Sequence, residues 1–129
     1  MGGTSLQRGP GPAGDGGRGS GSPEVCPRFH AAVELIGRRW AGAILFKLID
    51  GPHYFRELLV AVPGLSDRLL SQRLRELEAE GLVVRSVHEG PPARVSYCLS
   101  GAGEKLVPAL REIHSWAQDH DVTGADEAA

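Results

Sequence analysis

Pro63-Gly64-Leu65-Ser66-Asp67-Arg68-Leu69-Leu70-Ser71-Gln72-Arg73-Leu74-Arg75-Glu76-Leu77 is the stretch that decides the fold of this 129-residue chain. Pro63-Gly64 breaks any helix that precedes it, and Ser66 is a natural N-cap whose hydroxyl accepts an orphan backbone N–H. Leu65 before the cap and Leu70 after it form a hydrophobic staple that fixes the angle of entry. At 100° per residue, Leu70, Leu74 and Leu77 fall on one narrow stripe. Arg68, Gln72 and Arg75 fall on the opposite side, flanked by Ser71. The spacing predicts a helix over about 66–80, ended by Gly81, with an apolar back and a front of Arg, Gln and Ser. Arg73 points toward the side of the stripe, where it braces the fold.

Upstream, Phe55, Leu58, Leu59 and Val62 predict a short third helix that ends at Pro63-Gly64. Before it, a second helix from about Trp40 to Ile49 is nearly all apolar, which suggests burial on most faces, and Gly51-Pro52 stops it. Pro27 suits the first position of a helix that begins near Cys26, carries Phe29, Val33 and Ile36 at i, i+4, i+7, and ends at Gly37. Downstream the period changes to two. Leu82–His88 and Arg94–Leu99 predict a two-stranded wing over about 82–99, with a projecting loop that contains Pro91 and Pro92. In the second strand Val95, Tyr97 and Leu99 face one way, and Arg94, Ser96 and Cys98 the other. A last helix is expected after Ser100, with Leu106, Leu110, Ile113 and Ala117 on one stripe, Val107 and Trp116 broadening it, and Pro108 in its second turn. The expected fold is mainly α with a small β wing.

The formal net charge is −2, so any basic face must come from distribution and not from bulk charge. No apolar run approaches the roughly 20 residues of a membrane span, and no apolar h-region of a secretory signal is visible. Cys26 and Cys98 are too few for a disulfide scaffold and suit a reducing cytoplasm, the expected location. Residues 1–24 hold nine Gly and three Pro and are expected to form a disordered tail. Residues 121–129 are small and acidic and are expected to fray, which leaves one domain over 25–120. Cys26 and His30 stand at i, i+4 but supply two ligands where a structural zinc site uses four, so no metal is expected. No Gly-rich phosphate loop follows a strand and no nucleophile–base–acid set occurs, so no cofactor and no enzyme activity are expected.

An Arg/Gln/Ser-faced helix entered through a Gly-containing turn from an amphipathic helix is a helix-turn-helix arrangement. At this point the chain resembles the HxlR-type regulators, relatives of the MarR-type winged-helix repressors. The resemblance covers about Cys26–His120. It rests on Cys26-Pro27, Ile36-Gly37-Arg38-Arg39-Trp40, Asp50-Gly51-Pro52 and Phe55-Arg56-Glu57-Leu58. It continues through Pro63-Gly64-Leu65-Ser66, Leu70-Ser71-Gln72-Arg73-Leu74-Arg75-Glu76-Leu77, Gly81-Leu82-Val83 and Pro91-Pro92-Ala93-Arg94-Val95-Ser96-Tyr97. It implies a winged helix-turn-helix transcriptional regulator that binds double-stranded DNA as a homodimer, with its N- and C-terminal helices at the interface. Two departures stand out: Arg56 replaces a small polar residue that would cap the third helix, and Gly101 and Gly103 weaken the start of the last one.

Ser66, Arg68, Ser71, Gln72, Arg75 and, at the base of the wing, Arg94 are thus the candidate DNA-binding residues. The same helix face is also compatible with a merely solvated surface, or with a winged-helix module that binds protein, because Asp67, Glu76, Glu78 and Glu80 lie close by. Cys26, beside Pro27 and Arg28 at a helix start, is a candidate redox sensor, since the dipole and the cation favour thiolate. It is equally a small buried interface residue. An oxidant or small-molecule effector follows from the first view. A thiol oxidoreductase built on Cys26 is the weakest alternative, because no Cys-x-x-Cys is present.

Overall fold

The computed structural model describes residues 24–124; the tail expected over residues 1–24 lies outside it except for Glu24, and so does the acidic end from residue 125. In order, the elements are α1 (Pro27–Ile36), α2 (Ala41–Lys47) with a 3-10 turn over Leu48–Asp50, β1 (His53–Tyr54), α3 (Phe55–Ala61), α4 (Asp67–Ala79), β2 (Val83–His88), β3 (Arg94–Leu99), α5 (Gly101–Lys105) and α6 (Val107–Asp119). Most of α1 belongs to an N-terminal unit that ends at Glu34, while Leu35 onward forms a second compact unit. On α1, Phe29 and Val33 are exposed. Among the described residues no helix is long and apolar enough to cross a membrane.

The core of the second unit is built from Ile44, Leu45 and Leu48 of α2 and its 3-10 turn, Leu58, Val62 and Leu65 around α3, Leu70, Leu74 and Leu77 of α4, Val83, Tyr97 and Leu99 of the sheet, and Leu110 of α6. Of these, Leu70, Leu74, Leu77, Tyr97, Leu99 and Leu110 lie on the stripes and strand face that period 3.6 and period two mark out. Trp40 caps α2 in a left-handed conformation (φ 76°), so the helix begins one residue later than its apolar run.

The structure departs from expectation in three places. First, the wing is part of a three-stranded antiparallel sheet of order β1-β3-β2, in which His53 pairs with Tyr97 and Tyr54 with Ser96. Ser96 is buried although it shares the face of the exposed Arg94. Second, α3 is capped without a small polar residue: the Glu57 carboxylate accepts the Tyr54 N–H at 2.8 Å. Third, the final helix is two helices joined at Leu106, with Pro108 in the first turn of α6, where its missing donor costs nothing. The α6 stripe divides with it. Leu110 is buried in the core, while Ile113 and Trp116 are 57% and 55% exposed.

Two contacts hold α4 and the sheet in place. At the C-terminal side, Ser100 caps α5 by accepting the Gly103 N–H at 3.1 Å and donates to the Gly81 carbonyl at 2.6 Å. Gly103 is buried there because a Cβ would collide with the Leu82 carbonyl and lie 3.2 Å from Leu99. What weakens helix propensity is therefore a packing requirement. On the other flank, Arg73, its side chain 15% exposed, donates to the Arg39 carbonyl at 2.8 Å and pairs with Glu76, which also meets Arg38 at 3.2 Å. Arg73 braces the fold, as its angular position predicts.

Gly103→Ala is expected to destabilise the protein by about 1–3 kcal/mol through overpacking against immobile backbone, measured as a lower urea midpoint at unchanged slope. Burial raises the Glu76 pKa, but hydrogen bonds from Gln72 and Arg38 and the charges of Arg73 and Arg38 outweigh it and hold the carboxyl below its ordinary value of 4.5. A depressed carboxylate contributes stability that is present above its unfolded value and lost as pH falls through the folded one. Wild type should therefore melt above Glu76→Gln at neutral pH, and the gap should close as pH falls below about 4.5.

Candidate nucleic-acid interface

The α3–turn–α4 unit follows from local chemistry. Gly64 adopts φ +89°, which opens the turn, and a side chain there would meet the Trp40 ring at 3.4 Å. Ser66 then caps α4, its Oγ accepting the Leu69 N–H at 3.1 Å. With Leu70, Leu74 and Leu77 fully buried, the helix cannot rotate, and Arg68, Gln72 and Arg75 are exposed on the opposite side. Ser71 is half-buried at the edge of that face. The front is not uniformly free, for the Gln72 amide donates to Glu76 at 3.4 Å. That bond is long, exposed and within one helix turn, so it is weak and exchangeable.

Arg94 stands apart from this group, on β3, opposite His88 of β2. Its guanidinium lies 3.6 Å from the centre of the Tyr54 ring. His88 meets the same ring edge-on at 5.8 Å, and its Nε2 is 2.8 Å from Ser96 Oγ. Neither Tyr54 nor His88 is among the candidate residues read from sequence. A two-residue strand carries no periodicity, and nothing in the sequence sets Tyr54 beside a residue 40 positions on. The alternation of β3 was the one available signal: it puts Arg94 and Ser96 on one face and leaves open what lies across from them.

Cys26 is exposed, and its sulfur accepts the Phe29 N–H at 3.3 Å, which makes it the cap of α1. Cys98 is half-buried on β3, on the face that carries Arg94 and Ser96. Among the described residues no group of three or more His, Cys, Asp or Glu is arranged to hold a metal ion.

Residues 35–123 match the family model described as HxlR-like helix-turn-helix. The HTH-type transcriptional regulator YvaP of Bacillus subtilis is 46% identical over 96 residues, which cover 74% of this chain and 89% of YvaP. The HTH-type transcriptional regulator YodB of B. subtilis is 38% identical over 93 residues, covering 72% and 83% respectively. Among solved structures, the reduced form of YodB superposes with TM-score 0.67 at 36% identity, covering 74% of this chain and 94% of that one. The redox regulator HypR in its oxidized form gives TM-score 0.70 at 33% identity, covering 76% of this chain and 100% of that one. A sealed α4 presented by a short glycine turn, a β2–β3 wing and these likenesses agree: the chain belongs to the HxlR-like helix-turn-helix family and is a DNA-binding transcriptional regulator with a winged helix-turn-helix fold.

Proposed function

We propose that the protein is a homodimeric repressor that reads a palindromic operator with α4 and answers oxidants or electrophiles through Cys26. The observation that carries the reading head is the exposed set Arg68, Gln72 and Arg75, held opposite three fully buried leucines. In a major groove, the forked donors of Arg68 and Arg75 match guanine O6 and N7, and the Gln72 amide matches adenine N6 and N7. Gln72 exchanges its bond to Glu76 for the base. Ser66 accepts from Leu69 and keeps its own hydroxyl proton, which suits a phosphate, and Ser71 at the edge of the face suits either. Arg94, at the root of the wing, meets the backbone.

Dimerisation is supported by apolar surface that a lone subunit leaves in water: Ile113 and Trp116 on α6, and separately Phe29 and Val33 on α1. A two-fold dimer puts its two copies of α4 about one helical turn of DNA apart, which makes the operator palindromic. Sensing is supported by the exposed Cys26 sulfur at the start of α1, where it accepts the Phe29 N–H and is open to reagents from solvent. It is supported also by relatives: HypR is described as a redox regulator, and YodB was solved in diamide-treated and quinone-bound forms. Modification at Cys26 changes bulk and polarity beside a subunit interface, and packed interfaces answer by shifting between discrete arrangements.

Alanine at Gln72 or Arg75 should cost about 1–3 kcal/mol of operator affinity and relax sequence preference, read by gel shift on DNA flanking the protein's own gene. Unchanged affinity in both folded variants would exclude α4 as the reader and favour a protein-binding module. Trp116→Glu should convert a sedimenting dimer to monomer at micromolar concentration. Diamide or quinone should weaken DNA binding by wild type and Cys98→Ser alike and leave Cys26→Ser unaffected; loss of the response in Cys98→Ser instead would place the sensor on the wing.

A further inference from the structure

Tyr54 is a half-buried aromatic side chain that takes no part in the hydrophobic core, yet its ring has two polar neighbours, the Arg94 guanidinium over its face and the His88 imidazole in an edge-to-face contact. We propose that Tyr54 is a positioning residue for DNA binding: its ring holds the Arg94 guanidinium so that its N–H rim is presented to a backbone phosphate. The proposal deepens the reading of Arg94 as a phosphate contact and rests on it.

The geometry begins with the short strand β1. Tyr54 pairs in register with Ser96, and Arg94 lies two residues before Ser96, on the same face of β3. The guanidinium thereby covers the ring at 3.6 Å, well within the range of cation–π attraction. His88, the cross-strand partner of Arg94, stands edge-on to the ring at 73° and is tied by Nε2 to the buried Ser96 hydroxyl at 2.8 Å. The Tyr54 backbone is fixed in turn by Glu57, so the ring has little freedom to follow a moving arginine.

A guanidinium is a flat group whose donors all lie in its plane. Stacking uses one face and leaves the rim open, and among the described residues no carboxylate pairs with Arg94. An unsupported arginine loses rotamer entropy when it grips a phosphate, whereas one already stacked has lost much of it beforehand. Tyr54 thus acts through Arg94 without touching DNA.

The test is anisotropy titration of a mixed-sequence duplex of about 30 base pairs at low salt, since a phosphate contact acts on every sequence. Tyr54→Leu should weaken binding about two- to fivefold, and Tyr54→Phe, which keeps the ring face, should bind like wild type. In an Arg94→Ala background, Tyr54→Leu should have no further effect. An equal loss in that background, or wild-type affinity of Tyr54→Leu while Arg94→Ala is weakened, overturns the positioning role and leaves Arg94 in place. Wild-type affinity of Arg94→Ala overturns the phosphate contact and the proposal with it. Should Tyr54→Leu fail to fold, the wild-type protein decides alone: the Arg94 side-chain protons should be shifted upfield by the ring in NMR, and unshifted signals overturn the stack.

Discussion

Everything that α4 turns outward depends on the burial of Leu70, Leu74 and Leu77. Each removes a large aliphatic side chain from water, worth roughly 1.5–3 kcal/mol. The larger effect is orientational. Three knobs on one stripe allow α4 a single rotation about its axis, and that rotation decides which side chains meet solvent. Arg68, Gln72 and Arg75 make few contacts of their own, apart from the weak bond between Gln72 and Glu76. Their arrangement is borrowed from the leucines behind them, and substitutions there would re-aim all three candidate residues without touching any of them.

Charge serves the same end on a smaller scale. A net charge of −2 gives the chain no general attraction to a polyanion. Free acids on α4 would blunt its front, but Glu76 is turned sideways and paired with Arg38 and Arg73. The pairing draws a negative charge away from the face of Arg68, Gln72 and Arg75, and Arg73 ties the helix to the turn before α2 through the Arg39 carbonyl.

The reading helix was legible from sequence because its determinants are local. A cap, a staple and a stripe of leucines all lie within the thirteen residues from Leu65 to Leu77, and the angle of Arg73 within that stretch predicts its bracing role though not its distant partner, the Arg39 carbonyl. The departures share the opposite character. β1 is two residues long, so no period exists to detect. The division at Leu106 was hidden because the apolar spacing of Leu106, Leu110 and Ile113 runs across it unbroken. Gly103 looked like a weak helix start, since its reason is the Leu82 carbonyl, which comes close only in the folded chain. The candidate residues of α4 followed from angle alone, whereas the partner beneath Arg94 depended on a strand that pattern could not reveal.

The Ser100 hydroxyl bonds to the Gly81 carbonyl just past the end of α4, and its own residue follows the last residue of β3 and begins α5. Helix, wing and the root of the C-terminal arm therefore meet at a single side chain. Seen as machinery, α4 and the wing are one casting and not an assembly of adjustable jaws. In the homodimer proposed above, a displacement of the C-terminal arm would carry α4 and the wing along as one piece, altering the spacing of the two copies without altering either one. Under that proposal, regulation acts on spacing, and the preferred operator is a ruler as much as a sequence.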